Sequence, residues 1–265
     1  MTVKIFVGTP ANNEDLECQA VLDYSLRMHA SEPLDITWMM LSRDPASFWY
    51  CDPEKRLGWD MTGWATPFSA LRWGIPAACN YEGRAIYMDS DQIALADIAQ
   101  LARQPIPPGK VLLAKGGDTV ISCVMLMDCA AAKGKFPPIE QLRQAGRYRH
   151  VRGNLRGLTA DYSGNWNCRD GEHYASIYHP DVKVLHYTSI PTQPNHRHAR
   201  ARLVKEGKRH WYPGPDRPHP KAEVTQLFDR LLAEAIAAGR GPETFRVTPE
   251  FGPYGPTMKQ YGAAA

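Results

Sequence analysis

Three observations predict an α/β fold built on a largely parallel central sheet. The apolar runs Val3–Val7, Ile36–Leu41 and Ala85–Met88 are continuous rather than alternating, as strands covered on both faces are. The first two runs flank one amphipathic segment, Asp15 to His29, so the order is strand, helix, strand, which a parallel pair requires. The chain has 265 residues, 43% apolar and 22% charged, which is ample for one buried core and excludes a disordered or fibrous protein.

The elements follow in order. Val3–Val7 stops at Gly8-Thr9-Pro10, a turn signal. The helix over Asp15–His29 sets Leu16, Ala20, Val21, Tyr24 and Met28 on one stripe. Ser42–Trp64 is polar, aromatic and irregular, long enough to be a functional loop or a small excursion. Thr66–Ala78 reads as a helix and Ala85–Met88 as a strand. Val111–Ala114, Val120–Met127 and Val182–Tyr187 are further strands. Lys221–Ala238 is an amphipathic helix with Val224, Leu227, Phe228, Leu231, Leu232 and Ile236 inside. One domain over 1–238 results, and the Gly/Pro-rich 239–265 is expected to be a tail, draped on the surface or disordered.

Several classes drop out. No apolar stretch approaches the roughly 18 to 20 residues of a membrane span, and the N-terminus lacks the apolar core of a signal peptide. The net charge of +3 is too mild to imply nucleic acid. None of the six cysteines forms a CxxC, and no Cys/His spacing suits a structural zinc, so they read as reduced thiols of a cytoplasmic protein. Cys18, Cys79, Cys123 and Cys129 lie in apolar surroundings and are expected to be buried.

The chemistry concentrates at Tyr87-Met88-Asp89-Ser90-Asp91. Two carboxylates stand at the carboxyl end of an apolar strand, the edge where open α/β sheets bind ligands. Carboxylates this close repel unless something positive lies between them. A hard divalent ion does this and holds substrate phosphates in its remaining positions; a solvated turn or a helix cap is the plain alternative. A second strand ends in His186-Tyr187. Such a His is structural or, if its strand shares the sheet, a third ligand that moves the preference from Mg²⁺ toward Mn²⁺.

With these motifs in place, the sequence from about Val3 to Pro194 resembles glycosyltransferase family 8. The matching residues are Tyr87-Met88-Asp89-Ser90-Asp91, an Arg on the helix before that strand (Arg72), the pair Trp166-Asn167 and the late His186-Tyr187. The resemblance implies a single GT-A-like domain of the nucleotide-diphosphosugar transferase kind. Asp89, Asp91 and His186 would hold Mn²⁺ or Mg²⁺. Arg72 would reach the donor sugar or its phosphates, Ser90 would present backbone groups to the ribose, and Thr9, Asn12, Trp166 and Asn167 would line the nucleotide-sugar site. The family's acid after strand one is replaced by Pro10-Ala11, and its phosphate-clamping Lys has Gln193 nearest its place. Arg72 and Gln193 are therefore the expected catalytic pair.

Two basic stretches lie within 143–156 and 196–209. They read either as solvated faces or as surfaces meeting diphosphate or an anionic acceptor such as a lipid-linked sugar, with peripheral contact at the inner membrane face. The function so implied is metal-dependent transfer of a hexose from a nucleoside diphosphate sugar, a UDP sugar in the first instance, to a saccharide, glycolipid or protein, with retention. A sugar-phosphate nucleotidyltransferase and a catalytically inactive nucleotide-sugar-binding module are the alternatives.

Overall fold

The computed structural model describes residues 1–117, 121–144 and 155–255. The basic positions Arg147, Arg149 and Arg152, the start of the expected strand at Val120, and residues 256–265 lie outside the described residues.

The main sheet has six strands in the order β2-β1-β5-β8-β7-β9. These are β1 (Val3–Gly8), β2 (Leu34–Met39), β5 (Arg84–Asp89), β7 (Leu112–Lys115), β8 (Ile121–Asp128) and β9 (Thr159–Ala160). The fold is α/β with a mostly parallel sheet, and β8 is the one strand running against its neighbours. Helix α1 (Leu16–His29) makes the crossover from β1 to β2.

The two-residue period of the strands divides the core. Ile5, Val7, Ile86 and Met88 point to one face, where α1 places Leu22 and Leu26. Phe6 and Tyr87 point to the other, against Trp73, Met125 and Met127. Each such side chain removed from water stabilises the fold by about 1.5–3 kcal/mol. Trp73 lies on a 3₁₀ turn (Leu71–Gly74) that leads into the short α2 (Ile75–Ala78). The expected helix over Thr66–Ala78 is thus broken into turns. Met28, expected on the inner stripe of α1, is exposed, as is Ile236 near the end of its helix.

A smaller sheet has the order β10-β11-β6, from β6 (Gln92–Ala94), β10 (Cys168–Arg169) and β11 (Val184–His186). The strand that carries His186 therefore lies beside the main sheet and not within it, a correction to the expectation. The link is immediate, because β6 begins one residue after Asp91 and pairs antiparallel with β11, His186 opposite Gln92. A two-stranded piece, β3 (Cys51–Asp52) with β4 (Leu57–Gly58), occupies the long loop after β2. The later helices α6 (His196–Lys205) and α7 (Ala222–Ala237) pack on α1, and three short helices, α3 (Ala99–Ala102), α4 (Cys129–Ala132) and α5 (Ile139–Leu142), complete the order.

Residues 239–255 differ from the expected surface tail. Phe251 and Tyr254 are buried. Asn12 exchanges two hydrogen bonds with Gly252, 2.9 and 2.8 Å, and Asn13 Nδ2 donates to Val247 O and Glu250 Oε1. Widely spaced aromatics among Gly and Pro show no periodicity, so sequence alone hides such an anchor. No described helix is long and apolar enough to cross a membrane.

Candidate active site

The site forms where the two sheets meet, around a pocket of about 580 Å³. Asp89 and Tyr87 are two residues apart, so both project to the same side of β5. The Tyr87 hydroxyl donates to Asp89 Oδ1, and burial pushes its pKa well up, which keeps the proton for that bond. Gly8 makes this possible. A Cβ there would stand 2.8 Å from the Tyr87 hydroxyl and 2.7 Å from the Phe68 ring.

Arg72 lies 4.4 Å over the Tyr87 ring and is held from several sides. Its Nε donates to Ser69 O at 3.0 Å, one terminal nitrogen to Ser122 O at 2.6 Å, and the other to Asp89 Oδ1 at 3.1 Å. Arg72 lines the pocket, as the sequence led us to expect, but its guanidinium faces protein oxygens as well as the pocket.

Asp91 has its own partners. Its Oδ1 stands 3.1 Å from His186 Nε2, and its Oδ2 accepts from Gln193 Nε2 at 2.9 Å. Gln193 also donates to Tyr187 O at 2.9 Å. Burial opposes a charge on His186, but the Asp91 carboxylate outweighs it and holds the pKa well above the ordinary value. The other ring nitrogen, Nδ1, is 2.9 Å from Asn167 Oδ1, an acceptor, so Nδ1 carries its hydrogen toward Asn167 and Nε2 faces the pocket. The repulsion expected between the two carboxylates is thus relieved by the protein, with Arg72 beside Asp89 and His186 beside Asp91.

Other expected residues sit differently. Asn167 is fully buried and positions His186 rather than lining the pocket. Trp166 is a core residue, 1% exposed, its Nε1 donating to Ser163 O at 2.8 Å. Thr9 is buried and Asn12 is engaged by Gly252; neither is among the residues lining the pocket. Ser90 lines it between the two carboxylates.

Three pocket residues escaped the sequence reading. Asp15, at the start of α1, is buried, and burial with the neighbouring Glu14 charge pushes its pKa up to about 8. Burial pushes Glu14 itself up to about 7 despite its Tyr254 hydrogen bond of 3.0 Å. An acid does follow the first strand, a few positions beyond Pro10-Ala11. Arg169 lines the pocket, and among the described residues its side chain has no ion-pair partner. Cys123, at the start of β8, is the third.

One set of metal-ligating side chains converges among the described residues: Asp89, Cys123 and His186 bring ligand atoms within 4.8 Å of one another. It differs from the expected trio in one member, because Asp91 contacts His186 but stands outside the set. All six cysteines are free, and Cys123 is only half-buried, against the expectation of a buried thiol.

The basic run 196–209 is largely neutralised. Arg202 donates to Glu17 at 2.7 Å, Arg200 lies 3.2 Å from Asp216, Arg197 pairs with Asp229, and Lys208 with Glu250. These pairs tie α6 and the adjoining Lys208 to other parts of the chain.

No family model matches the chain, and no curated protein matches it. Solved structures share its fold. The galactosyltransferase LgtC, in complex with donor and acceptor sugar analogs, is 14% identical, with 87% of this chain and 96% of that one covered and a TM-score of 0.53. The glycosyltransferase GlyE of Streptococcus pneumoniae is 15% identical over 91% of this chain and 64% of its own, TM-score 0.55. The bifunctional WbbM is 13% identical over 71% of this chain, TM-score 0.51, and this chain spans 46% of its length. At such identities the likeness shows a shared GT-A-type fold.

Proposed function

We propose that the chain is a glycosyltransferase that moves a hexose from a nucleoside diphosphate sugar, a UDP sugar, to a saccharide, glycolipid or protein acceptor with retention. The observation that carries the reading is the meeting of Asp89-Ser90-Asp91 and His186 at one pocket, at the carboxyl edge of β5 in a GT-A-like fold. A divalent ion held by these side chains would neutralise the departing diphosphate. Arg72 fixes Asp89, Gln193 fixes Asp91, and Asn167 sets the His186 tautomer, so the ligand atoms are oriented before anything binds. Arg169 lines the same pocket with no ion-pair partner among the described residues, and its guanidinium is suited to a phosphate oxygen. A front-side path, in which the leaving phosphate assists the acceptor hydroxyl, needs no protein nucleophile and is the path proposed here.

An inactive binding module is the second reading. It is favoured by one observation: Arg72 and Gln193, the expected catalytic pair, are both engaged with protein carboxylates and carbonyls. Incubation with a divalent ion and a panel of UDP sugars separates the two. UDP release above the spontaneous rate marks an enzyme. Donor binding by calorimetry with no release marks a module.

A further inference from the structure

We propose that Cys123 is a ligand of the metal centre, and that the set Asp89, Cys123 and His186 selects a borderline-soft ion of the Zn²⁺ or Co²⁺ kind over Mn²⁺ or Mg²⁺. This rests on the reading of the site as metal-assisted. The topology produces the set. β5 and β8 are antiparallel with Met88 opposite Val124, so the residue before Val124 lies level with the residue after Met88, and Cys123 comes up beside Asp89. In a fully parallel sheet the start of β8 would lie at the far edge.

The position is built rather than incidental. The Cys123 carbonyl accepts from the fully buried Gln92 side chain at 3.0 Å, which pins its backbone. Gln92 in turn pairs with His186 across β6 and β11. The His186 ring is fixed by the buried Asn167 at 2.9 Å, its Nε2 turned toward the pocket. The three ligand atoms lie within 4.8 Å of one another, so shifts of about 1 Å bring all three to the 2.0–2.3 Å that a zinc-like ion requires.

The donor set decides the ion. Carboxylate, thiolate and neutral imidazole carry two negative charges, the same as the expected pair of carboxylates with imidazole. The formal charge of the three ligands is therefore the same as in the expected trio, and softness is what changes. Thiolate favours zinc-like ions, whereas Mg²⁺ and Mn²⁺ favour oxygen. Three protein ligands leave a fourth tetrahedral position for a substrate oxygen.

The test uses the full chain freed of metal by chelation and titrated with Co²⁺. The expected result is a near-ultraviolet thiolate-to-cobalt absorption that saturates at one ion per chain, is abolished in Cys123→Ser, and is displaced by stoichiometric Zn²⁺ but not by excess Mn²⁺. Cys123→Ser should weaken Zn²⁺ binding by about tenfold or more. Because Cys18 also lines the pocket, the alkylated cysteine is mapped by mass spectrometry in the wild type, where bound Zn²⁺ should protect Cys123 from iodoacetamide. This second measurement stands even if the variant folds poorly. Cobalt bound without the thiolate band, a band retained in Cys123→Ser, or Cys123 alkylated equally with and without Zn²⁺ overturns the proposal. UDP release measured in parallel separates the two readings. A thiolate band without turnover sinks the transferase and leaves the centre. Turnover with Mn²⁺ and no band does the reverse.

Discussion

Asp91→Asn is the most informative single change, because the structure gives Asp91 two partners of different kinds. The amide keeps the shape. Its oxygen can still accept from Gln193 Nε2, now at 2.9 Å from Asp91 Oδ2. Its NH₂ then faces His186 Nε2, 3.1 Å from Asp91 Oδ1, and the ring can accept only if it is neutral. That tautomer is the one Asn167 already enforces by accepting from Nδ1. The variant therefore keeps its hydrogen bonds and loses one ion pair. A hydrogen bond to a charged partner is worth about 1.5–3 kcal/mol, against about 1 for a neutral one. The expected loss in the metal-free protein is about 1–2 kcal/mol, or about 2–8 °C in melting temperature.

The pH dependence has a definite sign. The folded pKa of His186 is raised above the unfolded value by Asp91, so the pair's contribution is fully present below about pH 6.5 and is lost as pH rises through the folded value. Wild-type and variant melting curves should differ most near pH 6 and converge on the alkaline side. UDP release with saturating divalent ion should fall on the order of 10² to 10³. A variant as stable as the wild type at about pH 6 refutes the ion pair. Collapse at every pH makes Asp91 a framework residue. Unchanged UDP release shows that the glycosyltransferase reading rests on the wrong carboxylates.

Three further expectations follow from the same geometry. Arg72→Lys keeps the charge but cannot reach Ser69, Ser122 and Asp89 together, so melting temperature and UDP release should both fall, the latter by about a hundredfold; wild-type values for both would show the fork is not needed. Asp15 and Glu14, raised to about 8 and about 7, bind protons in the folded state that the unfolded chain has released, so their contribution to stability is lost as pH rises from about 4 to about 8. For Asp15 this is on the order of 5 kcal/mol, and Asp15→Asn should flatten that slope in urea melts; an unaltered slope would mean the carboxyl is not held neutral. Arg169→Ala should raise the KM for the donor about tenfold with kcat and melting temperature kept, since its side chain has no ion-pair partner among the described residues; a KM like the wild type's removes it from the phosphate site.

What sequence could and could not reveal divides along a physical line. Continuous apolar runs identify buried strands, and a polar residue just past such a run lies at a sheet edge, so Asp89, Asp91 and His186 were legible without coordinates. Strand direction was not. A run of apolar residues reads the same in either sense, and the reversal of β8 is what makes the beginning of that strand, Cys123, part of the site. The same letters, Ile121-Ser122-Cys123-Val124, look like an inert buried thiol until their partner strand is known. Pairing across long separations was hidden for a related reason. The basic run 196–209 looks unpaired because its carboxylates come from Glu17, Asp216, Asp229 and Glu250. Asn12 looks available to a ligand because Gly252, 240 residues away, is not visible beside it. Local polarity says only that a group needs a partner. Whether the partner is a ligand or another part of the chain is a property of topology, and here topology gives Asn12 and most of the basic side chains of α6 partners within the chain, and brings Asp89, His186 and Cys123 together at one pocket.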